Sequence, residues 1–405
     1  MDVIDTLMAR GLIAQTSGIP ALREAFSAGP VTFYIGFDPT ADSLHVGHLV
    51  PVMAAAWLQR MGHRPIFIIG GGTAMIGDPS GRTEARQMLD QATIHRNGER
   101  FREQLQRFVT QGGDNGLILT NNADWLLGLE LIPFLRDIGS HFSVNRMLTA
   151  EGNRIRMEKG LSFLEFNYQI LQGYDFLELY RRHGCTLQVG GDDQWSNMLA
   201  GTELIRRVEG KDSHILTVPL VTTASGQKMG KTLGGAVWLD AAKTSPFDLY
   251  QYWLNVDDRD VVRFLKMYTL LSLQRIAELA ALEGAEIREA KHVLAREFTA
   301  LVHGSDEAEK AERGARAMAS GAASADLPTF AVDAVRRAEG VKWWTILADA
   351  GLVKSRSEAK QKVVEGAVKL DHDKLTLDDA VPVDLGADGR VLRLGKSKAV
   401  RVVPG

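Results

Sequence analysis

Cysteine is almost absent from the sequence. The 405 residues hold one, Cys185, which excludes an intramolecular disulfide and a cysteine-based zinc site. It fits a reducing, cytoplasmic compartment. Net charge is scarce as well. Lys and Arg number 47 against 50 Asp and Glu, a balance of −3, so no chain-wide basic field draws in nucleic acid and any such contact must use local patches. No apolar run is long enough to span a bilayer, which predicts no membrane partner. The first residues, MDVIDTLMARG, carry acids and no apolar core, so they do not read as a signal peptide. No internal repeat is visible. What remains is an ordinary apolar share of 45% on a chain too long for one compact core, which predicts two or three domains.

The chain is organised around residues 34–48, YIGFDPTADSLHVGH. Val31, Phe33 and Ile35 alternate with Thr32 and Tyr34, which predicts a strand ending at Gly36. Asp38-Pro39-Thr40 forms a turn. An apolar-periodic run from Leu44 to Met61 predicts a helix with Asp42 or Ser43 as N-cap and Gly62 past its end. Pro51 inside that run costs about 3 kcal/mol, so either a kink or a late helix start is expected. His45 and His48 are three apart and share a face. Gly47 between them lets a planar ligand approach the backbone. Two ring N–H donors at a helix N-terminus suit the phosphates and ribose of a nucleotide. The bland alternative is a pair of ordinary histidines.

With Ile66-Phe67-Ile68-Ile69 this stretch makes a βαβ unit, hence parallel strands with a right-handed crossover. A glycine-rich loop, 70–82, follows at the strand's carboxyl end, where open α/β sheets bind ligands. Its Gly72 and Gly77 are spaced like a phosphate loop, but Asp78 stands where a lysine belongs and would repel phosphate. A carboxylate there suits an ammonium group. Helices are expected at 93–111, 123–139, 163–173 and 176–183, with Asp175 on a turn between the last two. Residues 146–159, rich in Arg and Lys, read as a mobile surface loop. A strand at 186–189 ends in Gly190-Gly191-Asp192-Asp193-Gln194. This is either an acidic metal pair or, because adjacent side chains seldom converge, a close approach to a nucleotide. Lys228-Met229-Gly230-Lys231-Thr232 sits in a polar loop. Residues 245–318 are helical throughout and 319–328 form a linker. From 341 onward the chain turns locally basic, with 12 Lys and Arg against 9 Asp and Glu.

His45-Val46-Gly47-His48 resembles the HxGH signature of class I aminoacyl-tRNA synthetases, and its flank, from Tyr34 to Leu44, is similar to bacterial tyrosyl-tRNA synthetases. The loop at 228–232 resembles the class I KMSKS loop and departs from it at Gly230 and Thr232. SRSEAKQKVVEGAVKL, from Ser355, resembles a small RNA-binding domain found in a ribosomal protein. The resemblance implies an α/β fold: a Rossmann-like nucleotide-binding parallel sheet (1–223), the lysine loop (224–244), an α-helical domain (245–320), a linker (321–340) and a small α+β RNA-binding domain (341–405).

It further implies activation of L-tyrosine with ATP, accompanied by Mg²⁺, and transfer to tRNA(Tyr) by a homodimer, for which the apolar helix at 163–171 is a candidate interface that core packing explains as well. Thr40, His45 and His48 would stabilise the reacting phosphate. Lys228, Lys231, Thr232, Arg82 and Arg86 would hold the leaving pyrophosphate. Tyr34 and Asp175 would read the substrate phenol. Asp78, Tyr168 and Gln172 would take its amino group, and Gln194 would lie on the amino-acid side. Gly36, Asp38, Gly47, His48, Gly191, Asp193 and Lys231 would line the ATP site. Arg154, Arg206, Arg207, Arg356, Lys360 and Lys362 would meet tRNA. No protein-held metal is expected. The ordinary readings are core packing for Tyr168, an N-cap for Asp175 or Asp192, and solvated turns for the lysines. A tryptophanyl synthetase would share the histidines and lysine loop but have no use for the Tyr34–Asp175 pair. An adenylyltransferase would not need the later domains. The basic segment alone would fit a non-catalytic RNA-binding protein.

Overall fold

The computed structural model describes residues 1–80, 88–226, 229–232, 235–320, 326–395 and 398–405, with Lys231, Thr232 and Ser320 described in backbone only. Arg82, Arg86 and Lys228 lie outside the described residues. The chain forms two units, 1–239 with 263–271, and 240–262 with 272–405.

The first unit is built on a six-stranded sheet of β1 (Gln15–Thr16), β2 (Thr32–Phe37), β3 (Arg64–Ile69), β4 (Ile118–Asn121), β5 (Cys185–Gly191) and β6 (His214–Val218). Their order is β1-β6-β5-β2-β3-β4. β2 through β6 pair in parallel, and β1 runs antiparallel to β6. Ile66, Phe67, Ile68 and Ile69 are all buried, the continuous apolar run of a parallel strand covered on both faces. The chain goes from β2 to β3 and β4 on one side, then returns to β5 and β6 on the other. The strand order therefore reverses beside β2, and in open α/β sheets the crevice at the carboxyl ends next to such a reversal is where ligands bind.

Of the two outcomes open for Pro51, the late start holds. A 3₁₀ turn, Val46–His48, precedes a helix that runs Leu49–Arg60. Pro51 is then its third residue, where the missing N–H had no intrahelical acceptor to lose.

Three expectations fail for identifiable reasons. Residues 146–159 are not a loop: they form helices Val144–Leu148 and Glu151–Met157. Arg156 turns inward and its Nε donates to Glu165 Oε1 at 3.0 Å, its Nη2 to Oε2 at 3.2 Å, with both side chains buried. A buried pair leaves a costly charge if either partner is removed, which anchors a segment whose composition looks solvated. Next, 163–173 and 176–183 are one helix, Phe163–His183, with Ser162 and Glu165 as a reciprocal capping box. Gly173 is there for close packing: a Cβ would stand 3.3 Å from the Phe142 ring and 3.5 Å from the backbone at Ala200 and Gly201. Asp175 consequently lies inside a helix, not on a turn. Finally, 123–139 divides into Ala123–Leu126 and Leu131–Asp137.

The second unit opens with helices, among them Pro246–Leu254, Ile287–His303 and Ser305–Ser320. Trp253 packs on Phe298 with ring centroids 4.5 Å apart. A five-stranded sheet follows, in the order Asp373–Lys374, Val368–Leu370, Arg390–Leu394, Lys398–Pro404, Thr329–Val332. Helices Trp343–Asp349 and Arg356–Val364 share a core with it through Trp343, Ile346, Ala359, Val363, Leu392 and Val400. The basic helix is less free than its sequence suggests. Lys360 Nζ lies 4.5 Å over the Trp344 ring, Lys362 meets Glu365 at 2.7 Å, and Arg356 approaches Asp349 at 3.8 Å.

Candidate active site

A cleft of about 430 Å³ opens at the carboxyl ends of β2 and β5. Tyr34, Gly36, Asp38 and Thr40 enter it from β2 and the turn beyond; His45, Gly47 and His48 come from the 3₁₀ turn. Asp78 comes from the glycine-rich loop, Tyr168, Gln172 and Asp175 from one face of helix Phe163–His183, and Gly191, Asp193 and Gln194 from the end of β5. Chain segments far apart in sequence thus meet in one hollow because strand ends and helix starts converge there.

The two histidines cap each other. His45 Nδ1 accepts from the Gly47 N–H at 3.0 Å, and His48 Nδ1 accepts from the His45 N–H at 3.1 Å. Their rings stack 3.7 Å apart. An Nδ1 that accepts a backbone proton is unprotonated, so each neutral ring carries its proton on Nε2. The capping fixes the tautomer that leaves two Nε2–H donors side by side on the cleft.

At the floor lies a polar chain. Tyr168 Oη donates to Asp38 Oδ2 at 2.9 Å and Thr73 Oγ1 to Asp38 Oδ1 at 2.7 Å. Asn122 Nδ2 donates to Thr73 Oγ1 and to Asp175 Oδ2, both at 2.9 Å, and Trp125 Nε1 donates to Asp175 Oδ1 at 2.8 Å. Burial pushes the Asp175 carboxyl up to about 7, against the pull of those two donors. Tyr34 is 1% exposed and its hydroxyl has no partner among the described residues. Burial, with Asp175 beside it, holds that phenol well above its usual range. Gln172 Oε1 is likewise buried without a partner. Gln188 Oε1, also on the cleft, is a third such oxygen; polar atoms buried there with no partner among the described residues mark where a polar ligand completes the set.

Asn122 and Trp125 escaped the sequence reading. The one signal was position: an Asn pair, Asn121-Asn122, one residue past the apolar 117–119, at the carboxyl end of a strand.

The lysine loop reaches the histidines by a backbone zipper. Val46 N–H donates to Val237 O at 3.0 Å and Leu239 N–H to Leu44 O at 2.9 Å, and Met229 N–H donates to Val221 O at 2.8 Å. Lys231–Thr232 pairs with Gly235–Ala236 as a small hairpin. Gly230 has φ +79°, and a Cβ there would stand 2.8 Å from the Gly47 nitrogen; a Cβ on Gly47 would stand 2.9 Å from Met229 O. The two glycines touch, which is a physical reason for glycine at the position where the loop departs from KMSKS.

None of Arg154, Arg206 and Arg207 lines the cleft. Arg154 is exposed on helix Glu151–Met157. Arg206 and Arg207 both clamp Glu203, at 2.9 and 2.7 Å, and hold its carboxyl down at about 2. Asp192 is structural: its Oδ1 accepts from Thr217 Oγ1 at 2.7 Å and Gln15 Nε2 at 2.8 Å, joining the end of β5 to β6 and β1. Among the described residues no three His, Cys, Asp or Glu converge as a metal site, and no helix is long and apolar enough to cross a membrane.

A profile of the family described as tRNA synthetases class I (W and Y) matches residues 27–320. The chain is 48% identical over 405 residues to the tyrosine–tRNA ligase of Clostridium tetani, covering 99% of both. It is 51% identical over 410 residues to that of Xanthobacter autotrophicus, covering 100% of this chain and 98% of the relative. Among solved structures, the C-terminally truncated mitochondrial tyrosyl-tRNA synthetase of Aspergillus nidulans matches with a TM-score of 0.71 at 32% identity, over 78% of this chain and 93% of that one. The tryptophanyl-tRNA synthetase of Encephalitozoon cuniculi matches with a TM-score of 0.56 at 15% identity, a likeness of fold alone.

Proposed function

The chain belongs to the class I tRNA synthetases of the tryptophanyl and tyrosyl group, and from that premise we infer that it is a tyrosine–tRNA ligase. It joins L-tyrosine to ATP as tyrosyl-adenylate, releases pyrophosphate, and transfers the tyrosyl group to the 3′-terminal adenosine of tRNA(Tyr). The observation that carries tyrosine over tryptophan is the buried Tyr34 hydroxyl without a partner, close to the Asp175 carboxylate. A phenol can donate to Asp175 and accept from Tyr34 at once. An indole N–H donates only and would leave Tyr34 unsatisfied.

Asp78, with Tyr168 and Gln172, takes the ammonium group, and Gln194 lies between it and the nucleotide side. Gly36, Asp38, Gly47, His48, Gly191 and Asp193 line the ATP site. The tyrosine carboxylate is ionised at neutral pH, so in-line attack on the α-phosphate needs no general base. Positioning carries the rate. The His45 and His48 donors and Thr40 meet the charge that grows on the reacting phosphate. Lys228, Lys231, Thr232, Arg82 and Arg86 are assigned to the departing pyrophosphate. ATP enters as its Mg²⁺ complex, and Mg²⁺ of this kind is held chiefly by phosphates and water. Arg154, Arg206, Arg207, Arg356, Lys360 and Lys362 are assigned to tRNA. The enzyme is cytoplasmic, in keeping with its lone cysteine. It works as a homodimer: Phe163 is 81% exposed at the start of its helix, and Leu131 and Ile132 are exposed on another, apolar surface that suits a second copy.

Amino-acid-dependent ATP–pyrophosphate exchange tests the assignment. Tyrosine should support it, and tryptophan should not. Tyr34→Phe removes one hydrogen bond worth about 1 kcal/mol, so the preference for tyrosine over phenylalanine should narrow roughly fivefold with ATP binding intact. An unchanged ratio would mean that Tyr34 does not read the phenol.

Tyrosine affinity should also depend on pH. The phenol donates to ionised Asp175, whose carboxyl sits at about 7 in the free protein. Binding favours the ionised form, so affinity is complete above that value and is lost as pH falls through it. The dissociation constant should be roughly tenfold weaker at pH 6 than at pH 8. Equilibrium dialysis should give that slope in the wild type and a flat profile in Asp175→Asn; a flat wild-type profile would exclude the ionised carboxylate as acceptor.

A further inference from the structure

Gln194 stands between two acids. Its Nε2 donates to Asp78 Oδ2 at 2.8 Å and lies 3.4 Å from Asp193 Oδ2. Its Oε1 accepts from Asn197 Nδ2 at 3.1 Å. The same Asn197 nitrogen donates to Ser80 Oγ at 3.1 Å, and the Ser80 N–H returns to Asp78 Oδ1 at 2.9 Å. Asn197 and Asp78 are both buried. The four residues close a ring around the Asp78 carboxylate; Asp78 and Gln194 line the cleft, whereas Ser80 and Asn197 stand behind it.

A primary amide fills nearly the same volume in two orientations. With its NH₂ between Asp78 and Asp193, Gln194 stabilises both carboxylates. Turned over, it would aim an oxygen at two negative charges. In the free protein Asp78 itself favours the first orientation. Once an ammonium group sits on Asp78, that pull weakens, because the carboxylate has a stronger donor. Asn197 then holds the amide in place from the other end, since its Nδ2 can only donate.

We propose that Asn197 is a positioning residue for amino-acid recognition: through Gln194 it fixes the Asp78 carboxylate for the substrate's α-ammonium group. The proposal rests on the ammonium role given to Asp78 above. It predicts an effect confined to ligands that carry the ammonium group and transmitted through Gln194.

The test uses two ligands, L-tyrosine and 3-(4-hydroxyphenyl)propionate, which lacks the ammonium group, with dissociation constants measured on the full-length protein. Asn197→Leu keeps the volume and removes the donor. It should bind tyrosine about tenfold more weakly, while the deaminated analogue and ATP stay within about twofold. If the leucine variant does not fold, Asn197→Ala carries the same expectation. In a Gln194→Ala background, either change at Asn197 should have no further effect on tyrosine. Equal losses for both ligands, or a loss that persists without Gln194, would make Asn197 a packing residue and overturn the proposal. A wild type that binds both ligands equally would overturn the ammonium role of Asp78 itself, and the proposal with it.

Discussion

His45→Ala is expected to slow tyrosyl-adenylate formation about a hundredfold while tyrosine binds within about twofold of normal. In the proposed mechanism His45 meets the nucleotide rather than the tyrosine, so the ground-state contact with tyrosine that it loses is small. Its Nε2–H matters when charge moves onto the reacting phosphate, and an interaction made chiefly in the transition state lowers kcat and kcat/KM together. The ring has a second task that could imitate this result. It caps the Gly47 N–H at 3.0 Å and stacks on His48, and loss of an N-cap alone costs about 1 kcal/mol of stability. His45→Asn separates the two, because an Asn oxygen restores the cap without the imidazole. The asparagine variant should recover the melting temperature and remain slow in single-turnover kinetics. Recovery of rate along with stability would show that His45 acts by shaping the turn.

How far the sequence could be read depended on the range of the interaction. The βαβ unit was legible because alternation in β2, the apolar run of β3 and the turn chemistry between them are local. Pro51 narrowed the helix to two outcomes, and only the 3₁₀ turn at Val46–His48 decided between them. The cleft was legible where its residues stand just past strand ends, as Asp38 and Asp193 do, or in the glycine-rich loop that follows β3, as Asp78 does. Polar residues that act through another residue were not. Asn122, Trp125 and Asn197 serve side chains 53, 50 and 3 positions away, and nothing in their local pattern says that they are donors. Pairing across nine positions explains the largest misreading. Arg156 is buried because Glu165 is there to meet it, and neither residue announces the other. Gly173 misled for the opposite reason: a glycine reads as a break, whereas here it admits the helix Trp195–Glu209 at close range.

Cutting the chain after Leu327 should separate the two chemical steps, leaving tyrosine-dependent pyrophosphate exchange near normal and reducing transfer to tRNA about a hundredfold. The described cleft is lined wholly by residues up to Met229. The core of the C-terminal sheet is formed by residues from Val332 to Val402, so the cut deletes that core entire. It also keeps Asp326, which meets Arg313 at 2.9 Å, and buried Leu327. What is lost is the basic end of an otherwise acidic chain. Arg356, Lys360 and Lys362 are partly engaged within it, but the sheet face away from the core adds Lys369 directly opposite Arg393, with Arg401 on the next strand. Arg393 Nε and Nη2 and Arg401 Nε are buried with no hydrogen-bond partner among the described residues, so these side chains would have to turn outward to meet phosphate. Like charges set opposite one another are unfavourable alone and become favourable beside phosphate. About 3 kcal/mol from a few such charge-assisted contacts matches a hundredfold loss. That part of the affinity should be the salt-sensitive part, since phosphate contacts release counterions. Exchange and tRNA charging measured on one truncated preparation across a salt series decide the matter. Undiminished charging at moderate salt would show that residues 328–405 do not hold the tRNA. Loss of exchange would show that the catalytic unit needs them to fold.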